Sequence, residues 1–420
     1  MIFCIACLLP TTSLLAWTIS HKLPSHVARC EARARELLGL EARIGRVRYP
    51  QPGVCLCENI ELTDPETRQR VLQCRWLELG RSGPVLVLRP ATVEIDASQA
   101  GRLVRLLMRR LQRELPVAPA TVRVLPSSVT LRGAHDEQTY DDVECLIEST
   151  ETGDTATMRF RLAGGERNES ASVAIRRRHA QQAGTRVSLD TAGAALPVSM
   201  FAPWADWQSV LGSQARFRGS LWIDADERGW RGDVTGVLNE VDLESLVAAR
   251  FPHVLTGRAT LEIDRARIEQ GRLVEAAGLL RAEHGVIGRS LLLSLSEALH
   301  CRLARESIEE ARTGNLNYEQ LFLRFVLDAQ GLRLTGSPAE PHRGLLLIDE
   351  RQKPLLAEPL EQPAPLVALV RALVPPSRTH VPATKETAAL VPWLPLPPVV
   401  PPPSANGSPP RPAARVRLGK

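Results

Sequence analysis

The chain of 420 residues is poor in aromatic side chains, with 7 Trp, 7 Phe and 3 Tyr, and has only 4 Met. Lysine is scarcer still: among 52 basic residues only Lys22, Lys353, Lys385 and Lys420 are lysines, and the arginines are spread along the chain. Against 47 acidic residues this leaves a net charge of +5. No massed basic surface of the kind that holds phosphates is present, so no nucleic-acid partner is expected. Eight cysteines are too thinly spread for a disulfide-stapled mini-domain, and the composition fits neither a collagen nor a coiled coil.

Catalytic signatures are also missing. The sequence has no G-x-x-x-x-G-K-[ST], no H-E-x-x-H and no G-x-S-x-G, so the phosphate cradle, the zinc-protease helix and the nucleophile elbow lack their residues. The nine histidines are isolated from one another, and Cys4-Ile5-Ala6-Cys7 has redox spacing inside an apolar run with no βαβ context. The chain is therefore read as a non-enzyme without cofactor or metal. The residual enzyme reading rests on the carboxylates Asp136, Glu137, Asp141 and Asp142, which share a turn region where solvation is their simplest role.

What is present begins with residues 1–19, which contain no charged side chain and are nearly long enough to cross a bilayer as a helix. Without a basic n-region or an A-x-A-like site, residues 1–20 read as a membrane anchor more readily than as a cleaved signal peptide. The following basic residues Lys22, Arg29, Arg33 and Arg35 would, by the positive-inside rule alone, hold the body in the cytoplasm.

After an Arg-rich helical stretch (Val27–Leu40), the pattern changes to short runs of period two separated by glycine, proline and Asp-Pro turns. Val54, Leu56, Glu58, Ile60 and Leu62 alternate in this way, and similar runs recur through 71–88, 121–189, 215–238 and 255–282. The segments Arg218–Asp224 and Thr256–Asp264 resemble each other loosely, which points to an extended sheet or a degenerate solenoid.

Helices are expected at three interruptions. Ala100 to Leu115 sets five leucines on one face and arginines on the other, Asp242 opens a helix with an acidic first turn, and a third falls between Ser290 and Arg312. The run Leu366–Val374 is too short to span a membrane. From Pro375 onward 13 prolines in 46 residues predict an extended tail without a core, a spacer or a ligand for an envelope protein. Cys55 and Cys57, two apart on a strand, face the same way, with Cys74 on a nearby strand; buried free thiols are their expected state. The run Arg176-Arg177-Arg178-His179 reads as a solvated turn, and Trp204 and Trp207 fit either a membrane interface or a short helix burying them.

The order of short motifs resembles that of AsmA-like envelope proteins. Leu38-Gly39-Leu40-Glu41-Ala42-Arg43-Ile44-Gly45-Arg46-Val47 is followed by Pro52-Gly53-Val54-Cys55-Leu56-Cys57-Glu58-Asn59-Ile60-Glu61-Leu62-Thr63-Asp64-Pro65, as in the opening strands of that family. Thr235–Leu238, Val241–Leu246, Leu255–Leu261, Gly285–Ile287, Asn317–Leu321 and Leu332–Gly336 resemble its C-terminal region. The resemblance covers roughly half of the chain, leaving 97–214 unmatched.

It implies a mainly β fold: an elongated, curved antiparallel sheet forming a groove with an apolar inner face, accompanied by a few amphipathic helices. The expected organisation is an anchor (1–20), N-terminal strands (21–96), a divergent middle with the basic helix (97–214), a C-terminal β region (215–350), an apolar linker helix (351–374) and a proline-rich tail (375–420). The implied function is binding or conducting phospholipid in support of outer-membrane assembly, with the protein held in the inner membrane and its body in the periplasm. Val54, Leu56, Ile60, Leu62, Leu261 and Ile263 are the expected lipid-lining residues. The alternative is a scaffolding envelope protein whose sheet closes on its own core and carries no lipid.

Overall fold

The computed structural model describes residues 24–96, 99, 121–133, 137–150, 153–166, 168–178, 184–201, 207–226, 229–304 and 314–373. The expected anchor, the basic helix at 100–115, Trp204, His135, Asp136, His179 and the proline-rich tail lie outside them.

Helix α1 (Pro24–Leu38) opens with proline, whose fixed φ and missing N–H suit the first helical turn. It leads into a meander of β1 (Glu41–Gln51), β2 (Val54–Thr63) and β3 (Arg70–Ser82). The β2–β3 turn is built by Asp64: its buried carboxylate accepts from the Glu66 N–H at 2.9 Å and from the Thr67 hydroxyl at 2.6 Å. An aspartate that satisfies its own turn in this way stops a strand without leaving a buried charge bare.

Strand β3 is then shared by β4 (Val85–Pro90) and β5 (Val93–Asp96), one strand broken at its middle. These two pair in parallel with β6 (Thr121–Val124) and β7 (Ser128–Arg132). A parallel step needs a connection of a dozen residues or more, and 24 residues separate the end of β5 from the start of β6. The remaining named strands pair antiparallel and nearly in chain order: β8 (Glu137–Thr150), β9 (Gly153–Leu162), β10 (Ala171–Arg178), β11 (Gly184–Asp190), β12 (Leu196–Pro197), β13 (Arg216–Asp226), β14 (Gly229–Asp242), β15 (Arg258–Glu269), β16 (Arg272–Gly288), β17 (Cys301–Leu303), β18 (Asn315–Asp328), β19 (Gly331–Thr335), β20 (Leu345–Ile348) and β21 (Pro354–Pro359). The described residues form one mostly antiparallel sheet of 21 strands, not closed into a barrel.

Among the described residues the helices are few and short. A π-turn (Glu244–Ala248) stands where a helix opening at Asp242 is expected, with the Asp242 carboxylate accepting from the Ser245 hydroxyl at 2.7 Å. Trp207 begins a short helix, α2 (Trp207–Leu211), and is itself largely exposed. The helix expected after Ser290 is α3 (Arg289–Leu299), which gives way to strand β17. The segment 351–374 is not one helix: its first half forms β21, and only Leu366–Leu373 is helical (α4). Helices α3 and α4 pack on each other and on β16, β17 and β19. Among the described residues no helix is long and apolar enough to cross a membrane.

Two cores result. The smaller lies under α1, where Val27, Cys30 and Ala34 meet Leu40, Val47, Cys57, Ile60, Leu62, Val71 and Cys74. The larger lies under α3 and α4 and includes Leu238, Val241, Leu292, Leu299, Tyr318, Leu321, Leu347 and Leu356, all buried.

Candidate functional site: an apolar sheet face

Residues opposite one another in a ladder project from the same face of the sheet, so the pairing registers trace each face across the strands. One such row runs Cys55, Leu79, Leu88, Val124, Cys145, Met158, Val173, Leu189, Leu221, Val234, Ala266, Ala276, Leu327, Leu332. Two residues further along each strand a second row runs Leu86, Val122, Ile147, Ala156, Ile175, Val187, Ile223, Gly232, Ile268, Leu273. Neither row contains a polar side chain. At about 4.8 Å between strands the second row is roughly 45 Å long.

The two rows lie between different borders. On one side are Phe217, Leu238, Leu261, Leu280 and Leu323, in line with one another and set in or against the larger core. On the other side, at the strand ends, Ser149, Asp154, Arg177, Thr185, Ala225 and Trp230 form a mainly polar rim. Between these borders the second row is half-buried at every position except the buried Gly232, and the first is half-buried from Cys55 to Val173. Among the described residues the face is thus closed along one border and partly open along the other.

The opposite face is polar. Thr157, Ala174, Ser188, Trp222, Asp233, Arg267 and Glu275 form one of its rows. Next to it Arg176, Arg186, Asp224 and Arg231 align, and the Asp224 carboxylate, only 5% exposed, receives Arg186 at 3.1 Å, Arg231 at 3.4 Å and Arg178 at 3.8 Å. Arg186 also lies over the Trp222 ring, 4.9 Å from its centre. The run expected to be a solvated turn is instead the end of β10: Arg176, Arg177 and Arg178 are strand residues, and Arg178 is engaged with Asp224. Three of the candidate carboxylates are engaged as well, and stand on β8 and not in the expected turn: Arg161 lies 2.8 Å from Asp142 and 3.7 Å from Asp141, and Arg132 lies 3.9 Å from Glu137.

The six residues expected to line a groove do not share one environment. Leu261 and Ile263 stand on the apolar face, half-buried against the larger core. Ile60 and Leu62 stand on the same face but are buried under α1 in the smaller core. Val54 and Leu56 project to the other side, where Leu56 borders a depression of about 640 Å³ with Glu58, Asn59, Arg75, Trp76 and Glu78. The strict alternation read through Val54–Leu62 fails at Asn59, which has a left-handed φ of 52°. There the buried positions step by three, from Cys57 to Ile60, and the strand turns its faces over.

This device recurs. Cys57-Glu58-Asn59-Ile60-Glu61-Leu62, Tyr140-Asp141-Asp142-Val143-Glu144-Cys145, Leu238-Asn239-Glu240-Val241-Asp242-Leu243 and Ala282-Glu283-His284-Gly285-Val286-Ile287 each hold their third residue left-handed. The first three share a local signature that the sequence reading missed: apolar first, fourth and sixth positions, with a polar pair and then a single acidic residue between them. The lining residues of the middle region, such as Val122, Ile147, Ile175 and Val187, were legible as strand residues, but nothing local marks them as neighbours.

No cluster of three metal-binding side chains occurs among the described residues. Their cysteines are free thiols, and burial pushes Cys145 up to about 11 and Cys301 up to about 12. In comparisons with known proteins, no family model and no curated protein sequence matches this chain.

Proposed function

We propose that this chain is an AsmA-like, membrane-anchored envelope protein whose apolar sheet face holds phospholipid acyl chains and conducts them along the row direction. The observation that supports this reading is the second row, Leu86 to Leu273: an uninterrupted apolar track that the described parts of the fold leave half-covered. Apolar surface of that extent gains from a greasy cover, and a row with no polar side chain offers no hydrogen bond that would favour one point along it. Full burial of a methylene is worth about 0.8 kcal/mol, so a half-covered chain of sixteen carbons gains roughly 6 kcal/mol. That magnitude suits holding and release better than permanent capture. The polar rim from Ser149 to Trp230 places hydrogen-bonding groups beside the track, where a headgroup would emerge.

The test is site-specific photocrosslinking of the full chain in its membrane. A benzophenone amino acid is placed singly at Ile175 or Val187 on the track, and at Ala174 or Ser188 on the opposite face. Phospholipid adducts at the first pair and not the second are the expected outcome. Equal labelling of both faces, or no lipid adduct at Ile175 and Val187 in folded protein, overturns the reading and favours a scaffold whose face is covered by protein.

A further inference from the structure

At the N-terminal end of the first row of the apolar face, strand β2 holds a pair of thiols in an arrangement that lipid binding does not use. The Cys55 and Cys57 sulfurs stand 3.9 Å apart on one face of β2, Cys55 half-buried and Cys57 buried. The Tyr49 hydroxyl reaches Cys55 and is itself 2.8 Å from His26 Nε2 on α1. Cys30, one turn further along α1, lies 3.9 Å from the same nitrogen.

We propose that Cys55 and Cys57 form a reversible thiol–disulfide switch, with Cys55 the attacking thiol and Cys57 the resolving one. The Cys55 thiolate attacks one sulfur of an incoming disulfide, such as oxidised glutathione or an oxidised dithiol oxidoreductase. The S–S bond of the incoming molecule breaks, and its departing sulfur takes a proton from solvent. The Cys57 sulfur then loses its proton to solvent and attacks Cys55 Sγ, expelling the second thiol. In sum two cysteine thiols are oxidised by two electrons and one disulfide is reduced to two thiols.

The electrostatics favour this order. Hydrogen bonding from Cys57 and then Tyr49 lowers the Cys55 thiol to about 7, against the opposing effect of burial. The same contact with Cys55, then burial, raises Cys57. Once Cys55 is tied in a mixed disulfide its negative charge is gone, and with it the main reason for Cys57 to keep its proton. Closing 3.9 Å to the roughly 2.05 Å of a disulfide bends β2 at Leu56, and such a strained bridge is readily reduced again. The bend falls where Cys55 meets the packing of α1, so oxidation would act on the joint between that helix and the sheet.

The test uses the full chain treated with oxidised glutathione, then alkylated and cut with trypsin. The peptide Tyr49–Arg68 contains both cysteines and no others. It is expected to emerge unalkylated and lighter by two hydrogen atoms, and to return to the doubly alkylated form after mild reduction. Cys57→Ser is expected to accumulate glutathione on Cys55, whereas Cys55→Ser leaves Cys57 a thiol. A doubly alkylated Tyr49–Arg68 peptide after treatment, a bridge from Cys30 to Cys55, or glutathione on Cys57 in the Cys55→Ser chain would overturn the proposal. Should the variants fail to fold, alkylation of the unmodified chain decides it: Cys55 must react well before Cys145 at neutral pH, and equal rates count against it.

Discussion

Gly45 on β1 stands opposite Asn59 on β2, so close that a Cβ on Gly45 would lie 3.1 Å from the Asn59 Cβ. The missing side chain makes room for the left-handed turn of Asn59, and both strands exchange their faces at this point: buried Ala42 and Val47 flank it on one strand, Cys57 and Ile60 on the other. Gly45→Val is expected to cost about 1–3 kcal/mol by overpacking. Asn59→Val is expected to cost about 1–2 kcal/mol, because a branched residue resists positive φ, and Asn59→Gly should be neutral or stabilising. Urea denaturation of the three variants checks the order.

Single charges on the apolar track should separate cargo from stability. Ile175 is half-buried, so Ile175→Glu leaves the carboxylate access to water and should cost only about 1–2 kcal/mol. Its expected effect is loss of most bound phospholipid, measured by extraction and mass spectrometry. Ala174→Glu, one residue away on the polar face, is expected to retain it.

Tyr318 is buried and donates its hydroxyl to the Thr256 carbonyl at 2.6 Å, in a space kept open by Gly257 and Gly285. Burial pushes this phenol up to about 12, above its ordinary value of 10. The unfolded chain therefore loses the proton first as pH rises, and the stability contribution, complete below pH 10, is lost between pH 10 and 12. Tyr318→Phe is expected to cost about 1–2 kcal/mol at pH 7 through the unmet carbonyl. It should also flatten the alkaline fall in melting temperature.

His253 carries the opposite dependence. It is buried, its Nδ1 lies 3.1 Å from the Ser290 hydroxyl, and burial lowers its pKa below 6.5, with the main chain at Ala372 acting the other way. On acidification the unfolded chain takes the proton first, so the stability this residue contributes above pH 6.5 declines as pH falls below it. Replacing it with glutamine should reduce the loss of melting temperature between pH 7 and pH 5. An unchanged acid slope would place the effect on other groups.

Much of the fold was legible locally. Period-two alternation and turn residues located most of the strands between Glu41 and Ala282, because a half-buried strand must repeat every two residues and a glycine or Asp-Pro turn ends it. The 351–374 segment was misread as one helix, since its leucines and alanines carry no period that separates a short buried strand from a helix. Val54 and Leu56 were assigned to the lining because alternation was extrapolated through Asn59, and the cost of a left-handed backbone there is met by Gly45 on another strand.

By itself, then, the sequence determined a sheet protein with few short helices: binary patterning and turn chemistry are properties of neighbouring residues and need no partner. Which apolar residues form a surface was decided only in three dimensions. Leu86, Val122, Ile147, Ile175, Val187 and Ile223 are spread over 138 residue numbers, and only the pairing registers make them one row. Whether such a row is covered depends on where the helices land, and α3 and α4 lie at the other border, because their own apolar stripes are buried there against β16, β17 and β19.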